Sequence, residues 1–150
     1  MRFLLYAVVA LALVFLAFAV YVRFAPIDAE GQHVDPAEVV PPGTPNFARM
    51  AGPNGSQVSA QPDVVGERIA ALAEAEGAEI LAGSIADRHI TYVVRTPVMR
   101  YPDIVTLRWV AEAPGTRVDI YSRSIYGMND LGANTVRVQQ WLTALHGDES

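Results

Sequence analysis

The sequence predicts an α+β protein. An antiparallel four-stranded sheet carries two helices on one face, behind an N-terminal transmembrane helix and a Pro/Gly-rich linker. Three observations predict this. The first 24 residues hold an uninterrupted apolar run. Residues 25–62 are dense in proline and glycine. Beyond them, two segments with helical spacing bracket four runs with strand character. The chain thus divides into an anchor (1–24), a linker (25–62) and a soluble α+β domain (63–150).

Phe3 to Val22 is twenty residues without a charge or a strongly polar side chain. At 1.5 Å rise per residue that is about 30 Å, one hydrocarbon core. Tyr6 and Tyr21 stand near its ends, where amphipathic rings settle at the membrane–water boundary, and Arg2 and Arg23 bracket it. A cleaved signal sequence is the rival, because Ala17-Phe18-Ala19 resembles an A-x-A site. The apolar run is longer than an ordinary signal core and continues past that site, which favours an anchor. Arg2 and the terminal amine precede the run, whereas Arg23 is followed by Asp28, Glu30, Asp35 and Glu38. That bias favours the N-terminus inside. In a bacterium this is a single-pass protein of the cytoplasmic (inner) membrane, with its soluble domain on the periplasmic side.

Prolines at 26, 36, 41, 42, 45, 53 and 62, and glycines at 31, 43, 52 and 55, leave no helical or strand period in residues 25–62. From Asp63, a predicted N-cap, Val65, Ile69 and Leu72 recur at helical spacing until Gly77. Strands follow at Glu79–Ser84, Arg88–Thr96, Asp103–Ala111 and Thr116–Ser124, with Pro114-Gly115 turning the second hairpin. Val105, Leu107 and Trp109 alternate on one face, opposed by Val118 and Ile120. Thr106, Arg108, Asp119, Tyr121 and Arg123 make the other face largely polar. A last helix starts at Leu131 or Asn134 and runs to His146, with Thr135, Val138, Leu142 and Leu145 as its apolar stripe and Trp141 beside it. Both helices are expected on the apolar face.

Composition removes several function classes. There is no cysteine, hence no disulfide, thiolate metal site or cysteine nucleophile. All eleven basic residues are arginine, which excludes a lysine Schiff base and a P-loop lysine. His33, His89 and His146 are too scattered for a histidine metal motif, and no cofactor motif is present. The net charge of −5 disfavours nucleic acid as a partner. The charge is uneven: residues 25–86 carry two arginines and nine acids, and residues 87–137 carry seven arginines and five acids. Any anion-binding surface belongs to the second half.

Between the last strand and the last helix stands Tyr121-Ser-Arg-Ser-Ile-Tyr-Gly-Met-Asn-Asp-Leu-Gly-Ala-Asn-Thr-Val-Arg137. This segment resembles the signature of domain-of-unknown-function family 1499: S-R-S, a spacer with glycine, D-L-G, x-N, then an arginine on the helix. Thr44-Pro45-Asn46 is similar to that family's S-P-N segment. Arg95-Thr96-Pro97 through Tyr101-Pro102-Asp103 is similar to its central segment. The resemblance covers residues 44–146. Phe47 stands where members often carry a cysteine, and Met128-Asn129 replaces a more polar pair. The resemblance implies domain limits and highlights residues, and it supplies no activity.

Asp130, Asn134 and Arg137 are spaced to share one helix face, and Arg123 ends the strand before them. With Arg95 they form the candidate ligand-binding set. The arginines would hold a carboxylate, phosphate or lipid headgroup beside a helix N-terminus, and Asn134 would add amide hydrogen bonds. The loop from Thr96 to Pro102, with Pro97, Arg100 and Pro102, reads first as a stiff crossover between the hairpins; the sharper alternative has it rim the same pocket, with Arg100 reaching in. The architectural alternative makes Asp130 or Asn134 a helix cap and Arg123 a partner of Asp130. A hydrolase with Ser122 or Ser124 as nucleophile, His89 as base and Asp119 or Asp130 as orienter is the reading from another class, and a structural subunit of a membrane complex is a third. The sequence favours a non-enzymatic envelope module. Its partners would be the membrane and an anionic small molecule, a lipid or an envelope protein.

Overall fold

The computed structural model describes residues 1–97 and 99–147. Val98, in the loop from Thr96 to Pro102, and the last three residues of the expected 63–150 domain lie outside them. Helix α1 (Arg2–Phe24) is apolar and long enough to cross a membrane. It is followed by a single turn, α2 (Ala29–Gln32), then β1 (Phe47–Met50) and β2 (Ser56–Val58). Helix α3 (Pro62–Ala75) leads to β3 (Glu79–Ser84), β4 (His89–Arg95), β5 (Pro102–Glu112) and β6 (Gly115–Ser124), and α4 (Ala133–His146) closes the order.

The α+β class and the antiparallel sheet match the expectation, but the sheet has six strands among the described residues, not four, and there are four helices. The meander β3-β4-β5-β6 is the predicted part. The two further strands both pair with the outer edge of β6, β1 through Phe47↔Arg123 and β2 through Ser56↔Val118. They arise within residues 25–62, whose prolines and glycines predict a linker. At four and three residues, β1 and β2 are too short to show a period.

One face of the sheet is the core. Ile90, Tyr92, Val105, Leu107, Trp109, Val118 and Ile120 pack against Val65 and Ile69 of α3 and against Val138, Trp141 and Leu145 of α4. The indole N–H groups are satisfied inside it: Trp109 donates to Pro62 O at 3.0 Å and Trp141 to the Glu76 carboxylate at 2.7 Å. Two local expectations change. Helix α3 has Gln61 at its N-cap and Pro62 in its first turn, where a missing N–H costs nothing, so Asp63 is free to pair with Arg88 at 3.0 Å. On α4 the buried stripe includes Asn134 and leaves Thr135 exposed.

The polar face is also covered. Residues 28–38 cross it as a strap. His33 Nδ1 lies 2.8 Å from Thr91 Oγ1, and the His33 ring stacks on His89 with centroids 3.9 Å apart. His89 Nε2 lies 3.1 Å from Val34 O, Asp35 pairs with Arg108, and Arg49 donates to Pro36 O and Ala37 O. Gly83 makes room for the strap. Its φ is +74°, and a Cβ there would sit 2.6 Å from the His33 ring and 2.2 Å from His89 O.

Candidate functional site

Strand alternation decides where the candidate residues go. On β6, Ser122 and Ser124 point to the helix face and Arg123 to the strap face. The Arg123 guanidinium donates to Gln32 O at 2.5 Å and to the Gln32 amide oxygen at 2.8 and 3.0 Å, and lies 4.6 Å over the Tyr121 ring. Burial lowers its pKa from the ordinary arginine value. Arg123 is therefore separated by the sheet from Asp130, Asn134 and Arg137. The expected four-residue cluster is split, and Arg123 partners Gln32 instead of Asp130.

The other three do come together. Asp130 stands two residues ahead of Gly132, the N-cap of α4. Its carboxylate accepts from Gly132 N at 3.0 Å, from Asn134 N at 2.8 Å and from Asn134 Nδ2 at 2.7 Å. Burial alone would raise the Asp130 pKa, but these hydrogen bonds outweigh it and hold the carboxyl below its usual range. Asn134, fully buried, accepts from Ser122 Oγ at 2.5 Å and donates to Asn46 O at 3.1 Å and Ser124 Oγ at 3.0 Å. Arg137 donates to Asn134 Oδ1 at 3.2 Å and Ser122 Oγ at 3.3 Å, and forms an ion pair with Asp103 at 3.0 Å. That pair is enclosed, with the side chains 12% and 3% exposed. Asn46 extends the network to Ser124 O and Gly127 O, and Thr44 donates to Asn46 Oδ1 at 2.7 Å.

The three sequence segments that carry the family resemblance thus converge on one polar network. Among the described residues, none of its buried side-chain polar atoms lacks a partner. It supplies architecture: it locks the N-terminal strands, β5, β6 and α4 together. It does not bring the serines to His89: Ser124, which lines a cavity, accepts at Oγ from Asn134 Nδ2. The Ser122 hydroxyl is buried and engaged by Asn134, and His89 lies on the opposite face against His33.

Two concavities border the network, and a third adjoins the second of them through Arg95. A cavity of about 360 Å³ lies between α1 and the loop after β6, walled by Phe18, Tyr101, Tyr126 and Leu131, with Asp103 and Ser124 also lining it. Phe18 meets both tyrosines edge-on, with centroids 6.5 Å apart. A groove of about 560 Å³ is lined by Arg95, Asp130, Leu131, Val136 and Arg137. A third space of about 450 Å³ is lined by Arg23, Phe24, Glu79, Arg95 and Arg100. Arg95 borders the last two. Among the described residues, Arg23, Arg95 and Arg100 make no ion pair, and the one side-chain hydrogen bond of the three runs from Arg95 to Arg100 O at 3.4 Å. Arg23 had been legible only as a flank of the apolar run. No sequence signal tied it to Arg95.

No curated protein matches the chain in sequence. Two solved structures resemble it. Protein CV1439 from Chromobacterium violaceum is 18% identical with a TM-score of 0.48, covering 69% of this chain and 97% of its own. Protein MLL2253 from Mesorhizobium loti is 14% identical with a TM-score of 0.47, covering 67% of this chain and 92% of its own. The family described as "protein of unknown function (DUF1499)" matches residues 28–145, from the strap to the penultimate residue of α4. The chain, whose Thr44-Pro45-Asn46, Asp103 and 122–137 segments meet in one buried network, belongs to that family.

Proposed function

We propose that this protein is a membrane-anchored, non-enzymatic binding module that holds an anionic lipid headgroup at the foot of its anchor. Helix α1 serves as the single-pass anchor in the cytoplasmic membrane, with the domain on the periplasmic side. Arg95, joined by Arg23 and Arg100, supplies the positive charge. Asp130, Asn134 and Arg137 keep the neighbouring wall in shape, and Arg123 belongs to the strap instead.

One observation carries this reading. Most of the arginines of the domain are committed to an acid or a carbonyl: Arg88, Arg108, Arg117 and Arg137 to carboxylates, and Arg49, Arg68 and Arg123 to backbone oxygens. Arg95, whose one side-chain contact is a long 3.4 Å hydrogen bond to Arg100 O, and Arg100 have no acidic partner among the described residues, and they share a concavity with Arg23, Phe24 and Glu79 at the C-terminal end of the apolar helix. Lipid phosphates lie at that depth, and guanidinium groups match phosphate oxygens bidentately. Native mass spectrometry of the full chain, released gently from its own membrane, tests this. A retained anionic phospholipid should be lost with Arg95→Ala/Arg100→Ala and kept with Arg123→Ala. A bare chain, or an adduct indifferent to the double substitution, overturns the reading.

A further inference from the structure

Leu131 is the most exposed large apolar side chain of the domain, at 94%, and Met128 follows at 78% among residues of its own loop. Both stand between β6 and α4. The loop is firmly built. Leu131 N donates to Asn129 Oδ1 at 2.7 Å, and Gly132 N donates to Asp130 Oδ1 at 3.0 Å, so two successive side-chain turns fix the backbone. Leu131 itself is held at φ +53°, a left-handed conformation that a leucine rarely adopts. A rigid loop that presents a leucine and a methionine outward together offers them to an apolar surrounding, if one lies beside it.

Position identifies that surrounding. Leu131 lines the same cavity as Phe18 of α1, together with Tyr101 and Tyr126. Helix α1 meets the domain only near its C-terminal end, where Val22 is buried, and its residues before Phe18 project away from the domain. Phe18 lies five residues before Arg23, about 7 Å lower along the helix axis. Arginines at the level of Arg23 and aromatic rings one and a half turns deeper reproduce the order of a membrane boundary: charge at the phosphates, amphipathic rings below, aliphatic carbon beyond.

We infer that the 125–131 loop is a membrane-seated wedge. Met128 and Leu131 enter the boundary of the bilayer that α1 spans, flanked by Tyr101 and Tyr126. The occupant of this surface is lipid. The wedge gives the domain a second point of attachment, and two points fix its tilt over the membrane where one flexible anchor would not. It also turns the cavity behind Phe18 toward the lipid. The inference rests on the anchor reading of α1 above, and the experiment separates the two.

The absence of cysteine makes the test clean, because one introduced thiol is the only one to label. Four single variants of the full chain, Leu13→Cys, Met128→Cys, Leu131→Cys and Ala113→Cys, are labelled with bimane. They are reconstituted in vesicles of phosphatidylcholine and phosphatidylglycerol carrying a nitroxide-labelled lipid. Ala113 turns the far end of the β5–β6 hairpin and is exposed. At least twofold stronger quenching at 128 and 131 than at 113, with strong quenching at 13, is the expected result. Quenching at 13 with 128 and 131 as bright as 113 overturns the wedge and leaves the anchor standing. Lack of quenching at 13 overturns the anchor reading and the wedge with it. Two independent wedge positions guard against one label disturbing the loop.

Discussion

Arg137 and Arg100 border adjoining concavities, and Arg95 lines both. Arg137 is almost enclosed, paired with Asp103 and bound to Ser122 and Asn134. Arg100 is exposed, at φ +58°, and has no acidic partner among the described residues. The first spends its charge inside the protein and the second presents it. The difference teaches where to look for function here. The residues of the sequence signature hold the fold, whereas Arg100 in the neighbouring loop and Arg23 at the end of the apolar helix carry charge with no acidic partner among the described residues.

The comparison breaks most visibly at Arg137. Arg137→Ala leaves the Asp103 carboxylate buried without its cation, which costs about 3–5 kcal/mol. A lowered urea midpoint of the full chain in detergent measures it, and Asp103→Leu/Arg137→Met should recover most of the loss. A cost below about 1 kcal/mol would put this pair in the class of an exposed one such as Arg88–Asp63.

The strap should respond less, and to acid. Burial, with the neighbouring His89, lowers the His33 pKa from its ordinary 6.5, against a smaller opposing effect of Asp87. Below pH 6.5 the unfolded or detached segment therefore takes up a proton that the packed one resists. The stabilisation is complete above pH 6.5 and is lost as pH falls through the lowered value of the packed ring. Relative to the intrinsic rate at each pH, the amides of residues 28–38 should lose protection by pH 5 before those of β4–β6 do. His33→Asn should flatten that dependence, and an equal loss of protection in strap and strands would show that the strap is not a separate unit.

The smallest effect belongs to the exposed arginines. Arg100→Ala should change stability by no more than about 0.5 kcal/mol, since no partner is left behind. A thermal midpoint unchanged beside the loss of bound lipid in the double variant with Arg95→Ala would sharpen the contrast with Arg137. A large destabilisation would mean that Arg100 is structural too.

Much of this was legible in the residues. Period-two alternation placed β3 to β6 within a residue or so, and helical spacing placed α3 and α4, because long half-buried elements print their period in the chain. The strap and the short strands were not legible, since their position is set by single hydrogen bonds such as Asn46 to Ser124 O and His33 to Thr91. Nor was the separation of Arg123 from Arg137 drawn from spacing alone. The alternation that put Val118 and Ile120 on one face puts Ser122 there too and Arg123 on the other. The burial of Asn134 in place of Thr135 was hidden for a related reason: a polar residue on a buried stripe is invisible until its network is known.

The pairing of β1 and β2 with β6 has a consequence for how the chain is made. Phe47 and Val58 find their partners at Arg123 and Thr116. At the usual pace of synthesis, about 5–20 residues per second, the earlier strands wait several seconds for the later one. During that wait they are unpaired edges, the kind of surface that invites aggregation. The prolines and glycines that disguise residues 25–62 as a tether are suited to that interval: they keep the segment solvated and unstructured until the template that will seat it has emerged.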